Sequence, residues 1–249
     1  MEITGEVQKM AMLIDGQPVV GNGDAVVEVF NPSTGELVGR VPIASEAEIN
    51  LAVEAADRAF KTWRDTPAVE RAAHIRALIA IVRQNIDDLA RTLTMEQGKP
   101  FPQAKGEING FCAVLEFYAE EARRISGMVL ESDQTDRFVY VLRHPVGVIA
   151  AIPPWNDPLH LLSRMIGPAL AAGCTVVAKP SSDTPLTTLQ MAELAHKAGL
   201  PAGVFNVITG PGGRVGEALV RHPKVRKASL TGSLAGGQSV MQTAAEGIK

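Results

Sequence analysis

Val146-Gly147-Val148-Ile149-Ala150-Ala151-Ile152, a stretch of helical spacing from about Pro158 to Ala171, and then Thr175-Val176-Val177-Ala178 read as strand, helix, strand, and this reading decides the fold. Short apolar runs of this kind, bounded by turn residues, mark strands buried on both faces. Two of them joined by a helix make a right-handed crossover between parallel neighbours. The rhythm continues downstream: a helix is expected over Pro185–Ala198, a strand over Val204–Ile208, and a helix over Arg214–Arg221. A strand over Lys227–Leu230 and a helix over Ala235–Ala245 complete the series. Such alternation implies an α/β fold with a doubly wound, largely parallel sheet over residues 136–249.

Residues 1–135 read as short strands followed by a helical layer. Asp15-Gly16, between Ala11-Met12-Leu13-Ile14 and Pro18-Val19-Val20, is a hairpin signal. Ala25–Phe30 and Leu37–Ile43 pair across the turn residues Asn31-Pro32-Ser33-Thr34-Gly35. Ser45 with Glu48 forms a capping box that opens a helix with Ile49, Val53, Ala56, Phe60 and Trp63 on one face. Pro67 opens what is expected as one helix through Ile75, Leu78, Ile81 and Val82 toward Gly98-Lys99-Pro100, and a third covers Pro102–Ile125. Phe138–Leu142 is a further β-rich run before the series begins.

Composition narrows the function classes. Of 249 residues, 46% are apolar and 20% charged, which excludes a wholly disordered chain. Lys and Arg total 24 against 27 Asp and Glu, so a net charge of −3 gives no electrostatic reason to expect nucleic acid or an anionic membrane as partner. Aromatic residues, at 4%, are too few for a stacking platform on single-stranded nucleic acid. The longest uncharged apolar stretch, Val146–Trp155, is far short of a membrane span. Met1–Met10 breaks its apolar residues with charges, so no secretory leader is read there. Cys112 and Cys174 lack disulfide or metal spacing and fit a reducing, cytoplasmic compartment. His74, His144, His160, His196 and His222 show no ligand spacing, so no metal is expected.

Open parallel sheets bind ligands at the carboxyl ends of their strands, and each such end here carries a distinctive sequence. These are Ile152-Pro153-Pro154-Trp155-Asn156-Asp157-Pro158, Lys179-Pro180-Ser181-Ser182, Thr209-Gly210-Pro211-Gly212-Gly213 and Thr231-Gly232-Ser233. Each admits a structural and a functional reading. Gly210-x-Gly212-x-x-x-Gly216 is a tight turn, or a place where a cofactor approaches the backbone; Val215 in the third glycine slot departs from the dinucleotide fingerprint. Lys179 is a solvated strand end, or a cation for ribose hydroxyls that tolerates a 2′-phosphate. Ser233 is an N-cap, or a pyrophosphate donor at a positive helix end. Asn156 is a helix-start residue, or an amide aimed at a developing oxyanion. Cys112 and Cys174 read as core thiols.

Several of these motifs carry a family likeness. Pro154-Trp155-Asn156-x-Pro158, Gly167-Pro168-Ala169-Leu170-Ala171-Ala172-Gly173-Cys174-Thr175-Val176-Val177 and Lys179-Pro180-Ser181 resemble the NAD(P)-dependent aldehyde dehydrogenase superfamily. Gly199-Leu200-Pro201-Ala202-Gly203-Val204-Phe205-Asn206-Val207, Thr231-Gly232-Ser233, Asn31-Pro32-x-Thr34-Gly35 and Glu96-x-Gly98-Lys99-Pro100 extend the resemblance over nearly the whole chain. It implies a Rossmann-like region that binds NAD or NADP and an aldehyde as the small-molecule substrate. By the same resemblance Asn156 is the oxyanion-hole amide, Ile152, Pro153 and Trp155 line the cofactor cleft, and Lys179 holds the adenosine ribose. Gly212 and Gly216 would lie near the adenine and Ser233 at the pyrophosphate. The strand around Phe138–Leu142 resembles the family's oligomerisation arm, implying a homo-oligomer, dimer or tetramer, in the intact enzyme.

Two departures bear on specificity. Ser182 stands where the family commonly has a Glu that repels a 2′-phosphate, so NADP acceptance is expected. Asp157 stands where the family usually has an aromatic residue, which points to a polar or cationic aldehyde. The family's Leu-Glu-Leu-Gly-Gly glutamate and its nucleophilic cysteine have no counterpart here. The resemblance is therefore to the cofactor-binding half alone, with the catalytic domain and the last sheet strand expected to be lacking and the chain expected to be inactive by itself. An open sheet edge in such a fragment is expected to favour self-association. The alternative is a non-catalytic dinucleotide-binding or interaction module. A short-chain reductase is set aside, because Tyr118 is followed four residues on by Ala122 and Tyr140 by His144.

Overall fold

The computed structural model describes residues 7–21 and 25–249. Much of the N-terminal stretch read for a leader, residues 1–6, lies outside the described residues. β1 (Gln8–Lys9) precedes a hairpin of β2 (Met12–Ile14) and β3 (Gln17–Val19). Its two-residue turn puts Asp15 and Gly16 at φ of 54° and 72°, as the right-handed twist of a hairpin demands. β4 (Val26–Phe30) and β5 (Leu37–Pro42) pair antiparallel, as expected from the turn between them.

α1 (Glu46–Trp63) opens on the anticipated capping box: the Glu48 amide donates to Ser45 Oγ, and the Ser45 amide donates to Glu48 Oε2 at 2.7 Å. The single helix expected after Pro67 is instead two, α2 (Ala68–Gln84) and α3 (Ile86–Gln97). The break is Asn85, at φ −111° and ψ 19°, whose side-chain amide donates to the Ile81 carbonyl at 2.7 Å. A short amide that bonds the preceding turn competes with the helix ladder, so the chain turns without glycine or proline. α4 (Phe101–Glu121) follows and tightens into a 3₁₀ turn at Ala122–Arg124. β6 (Met128–Leu130), which sequence reasoning did not place, pairs antiparallel with β7 (Val139–Val141) in a separate ribbon.

The remaining elements are β8 (Val148–Ile152), α5 (Pro158–Ala172), β9 (Thr175–Ala178), α6 (Leu186–Lys197) and β10 (Phe205–Val207). A π-helical turn at Gly212–Gly216 leads into α7 (Glu217–Arg221), and β11 (Val225–Leu230) and α8 (Leu234–Ala245) close the series. Among the described residues the main sheet runs β11-β8-β9-β10-β2-β3, with its first four strands parallel. The N-terminal hairpin extends it antiparallel beyond β10. Side chains alternate between two cores. Ile149, Ala151, Val176 and Ala178 face α2 to α6, while Val148, Ala150, Ile152 and Val177 face α1, α7 and α8. Helices on both faces make the sheet doubly wound. The chain steps outward from β8 to β9 to β10 and then returns to lay β11 on the other side of β8. Strand order reverses there, and the loops leaving β8 and β11 diverge to opposite faces and open a crevice.

Candidate functional site

The carboxyl ends of the four parallel strands surround a cleft of about 770 Å³. The β8 ladder ends at Pro153-Pro154, which have no amide hydrogen to continue it. Ile152 and Pro153 form the buried floor, Trp155 is exposed at the rim, and Asn156 lines the wall beside it. Asn156 leads into α5, where Pro158 takes the first helical position.

Lys179 is carried to the cleft by the end of β9 and is only 3% exposed. Its ammonium donates to the Gly210 carbonyl at 3.2 Å, and Ser182 Oγ donates to the same oxygen at 3.2 Å. Burial pushes the Lys179 pKa down to about 8, against the attraction of Asp183. Gly210 itself has φ +137°, and a Cβ there would lie 2.6 Å from Val215 Cγ2. Val215 therefore fills the space over Gly210 and belongs to the core, which is why the glycine spacing misses the dinucleotide fingerprint.

Gly212 lines the cleft with nothing within 4 Å of its missing side chain. Gly216 does not line it; it packs behind, where a Cβ would meet Lys179 Cδ at 3.5 Å and Ile152 Cδ1 at 3.8 Å. Ser233 lies on the β11 side of the cleft and caps α8, accepting from the Gly236 amide at 3.1 Å. The positive end of α8 thus faces the cleft. Of the nine residues singled out beforehand, eight line one cavity and Gly216 supports it from behind.

Sequence reasoning missed the side chains that hold these loops. Lys99, just beyond Gly98 at φ +87°, donates to the Asn156 carbonyl at 2.9 Å, to Asp157 Oδ1 at 2.8 Å and to Glu107. Burial disfavours its charge, but the bonds to Asp157 and Glu107 outweigh that and raise its pKa above the ordinary lysine value. Glu107 in turn accepts from the Leu159 and His160 amides, capping α5. Glu96 does the same for α6, accepting from the Leu186 amide at 2.7 Å and the Thr187 amide at 3.0 Å. Burial lifts the Glu96 pKa to about 7, although the donors from Thr187 and Leu186 pull it back. Gly98 has Pro32 against it, and a Cβ there would lie only 2.7 Å from Pro32 Cγ. The two motifs Asn31-Pro32-x-Thr34-Gly35 and Glu96-x-Gly98-Lys99-Pro100 therefore meet and brace the cleft. The signal was a charged residue on each side of a helix-ending glycine.

Neither cysteine lines the cleft. Cys112 is buried in α4, and its burial raises the thiol pKa to about 11. Cys174 precedes β9 and borders a different groove, about 310 Å³, at the amino ends of the strands. At about 3.3 Å per residue, the length of β9 separates that sulfur from Lys179. Among the described residues no helix is long and apolar enough to cross a membrane, and no cluster of three or more His, Cys, Asp or Glu is arranged to hold a metal ion.

The sequence pattern of the aldehyde dehydrogenase family matches residues 19–249. Over 236 residues the chain is 47% identical to a glutarate-semialdehyde dehydrogenase of Pseudomonas aeruginosa, covering 95% of this chain and 49% of that one. It is 46% identical over 237 residues to the NADP-dependent succinate-semialdehyde dehydrogenase of Escherichia coli, with the same coverage. The crystal structure of an Escherichia coli NADP-dependent enzyme superposes with a TM-score of 0.95 at 45% identity, over 97% of this chain and 50% of that one. A succinate-semialdehyde dehydrogenase from Burkholderia pseudomallei superposes with a TM-score of 0.94 at 44% identity, over 96% and 50%. The chain spans about half the length of the curated relatives it matches.

Proposed function

The chain belongs to the aldehyde dehydrogenase family, and on that premise we propose that it is the dinucleotide-binding and oxyanion-holding part of an enzyme that oxidises an aldehyde to a carboxylic acid with NAD or NADP. The observation that carries this reading is the cleft at the reversal of strand order, where Asn156, Lys179, Gly212 and the start of α8 converge. The donor set suits the ligand. Lys179 has one protein acceptor among the described residues, so it retains N–H groups for a ribose or its 2′-phosphate. Gly212 leaves backbone open to a flat adenine, and the amides at the start of α8 suit a pyrophosphate. Bound there, the dinucleotide supplies the hydride acceptor. Asn156 donates an amide N–H to the aldehyde oxygen, whose negative charge grows as the carbonyl carbon is attacked.

Ser182 in place of a carboxylate removes repulsion from a 2′-phosphate, so NADP is accepted. The names of the relatives favour a short semialdehyde as substrate. The ion pair of Asp157 with Lys99 takes up the charge on which a cationic aldehyde would depend. The attacking thiolate and the water-activating glutamate come from polypeptide other than these residues, since both cysteines are buried away from the cleft and no Leu-Glu-Leu-Gly-Gly run occurs among residues 1–249. Residues 1–135 serve as scaffold and 136–249 as the binding region. The β6–β7 ribbon, with Val129 and Phe138 exposed, serves as an arm for a homodimer or tetramer. Buried, unpaired thiols suit the cytoplasm.

Calorimetric titration of the chain with NADP and NAD tests the assignment. Binding of NADP that is much weakened in Lys179→Met is expected; no binding of either dinucleotide overturns the whole reading, and binding of NAD alone overturns the NADP part. The distance of both cysteines from the cleft equally favours a non-catalytic dinucleotide-binding module. Aldehyde turnover by this chain that disappears in Cys174→Ser would exclude that alternative and reverse the core-thiol assignment.

A further inference from the structure

Lys99 has three N–H groups and meets three acceptors: the Glu107 carboxylate, the Asn156 carbonyl and Asp157 Oδ1. The other Asp157 oxygen, Oδ2, accepts from the Asn156 side-chain amide at 3.3 Å. Contacts therefore run without interruption from a buried carboxylate on α4, through Lys99 and Asp157, to the amide on the wall of the cleft. The amide can face Asp157 only through its nitrogen, because its carbonyl oxygen would repel a carboxylate. An amide nitrogen carries two hydrogens, and the second has no protein partner among the described residues.

We propose that Asp157 is a positioning residue for Asn156, fixing its amide through one N–H so that the other is presented to the substrate oxygen, with Lys99 holding Asp157 in place. This rests on the reading of Asn156 as the oxyanion donor. A carboxylate acceptor on one N–H polarises the amide and strengthens the other as a donor. The same carboxylate, unpaired, would oppose a negative charge forming nearby; Lys99 at 2.8 Å counters it. Asp157 is thereby both an anchor and a charge that needs Lys99. The aspartate that departs from the family pattern acquires a role in geometry rather than in recognising a cationic substrate.

The test is the side-chain amide pair of Asn156 in the NMR spectrum of the chain labelled with ¹⁵N-asparagine, assigned by its disappearance in Asn156→Ala. Asp157→Ala is expected to move both protons and reduce their separation. Asp157→Asn, which keeps an acceptor oxygen, is expected to restore much of that separation. Lys99→Met is expected to displace the pair with Asp157 still present; should that variant fail to fold because Glu107 is stranded, Lys99→Arg and the Asp157 variants carry the test. An amide pair unmoved by Asp157→Ala, with the backbone spectrum of the sheet intact, overturns the proposal. Adding succinic semialdehyde with NADP to the unsubstituted chain separates the two readings. A pair that moves on Asp157→Ala but not on ligand supports positioning by Asp157 and counts against contact between that amide and the aldehyde oxygen.

Discussion

If Lys179 grips the 2′-phosphate as an ammonium, the affinity for NADP must fall as pH rises through the lysine's own ionisation. The side chain is buried, bonded to one carbonyl, and its pKa is pushed down to about 8 by desolvation. An ordinary lysine would stay charged to above pH 10 and show nothing in this range. With a pKa of about 8, the dissociation constant scales as one plus ten to the power of pH minus pKa. NADP binding should then weaken roughly tenfold between pH 7 and pH 9, about 1.4 kcal/mol. NAD should lose less, because a neutral amine still bonds a ribose hydroxyl. Calorimetry in buffers of different ionisation enthalpy reads both the affinity and the proton taken up with NADP. Lys179→Met should bind NADP weakly and without this pH dependence. An NADP affinity that is flat from pH 7 to pH 9, or an equal loss for NAD, would refute the reasoning.

Ser233→Ala removes the α8 cap and should cost about 1 kcal/mol in chemical denaturation. Ser233→Asp should recover the cap while repelling a pyrophosphate, so stability without restored binding would reveal the second role, and full binding by the aspartate variant would deny it. Gly210→Ala forces a side chain into φ +137° and onto Val215, and should destabilise by about 1–3 kcal/mol, read as a lower denaturation midpoint. Glu96 has a folded pKa of about 7, above its unfolded value. The folded state therefore holds the proton more tightly, and the contribution of this group to stability should decline as pH rises from about 4.5 to 7. Urea titrations across that window should show a shallower decline in Glu96→Gln; an unchanged slope would mean that the carboxyl stays ionised.

Whatever depends on a few neighbouring residues was legible in the amino-acid sequence. The Asp15-Gly16 turn, the Ser45–Glu48 box and the alternation of short β-rich runs with helical stretches each follow from local dihedral preference and side-chain periodicity. The strand-end motifs were legible as well, because in a parallel sheet every strand that precedes a helix must end on the same side. The break at Asn85 was not, since one amide outweighed a continuous helical pattern. Nor was β6, whose exposed residues have no buried face to impose a pattern.

Only the tertiary structure decided the order of the parallel strands, with β11 laid on the far side of β8, and so that the crevice opens between β8 and β11. It also brought Lys99 to Asp157 across 58 positions and Glu96 to Leu186 across 90. Such contacts leave no periodic trace in the chain. They are selected because buried helix ends and charges are costly until partnered, and only packing determines which partner lies within reach.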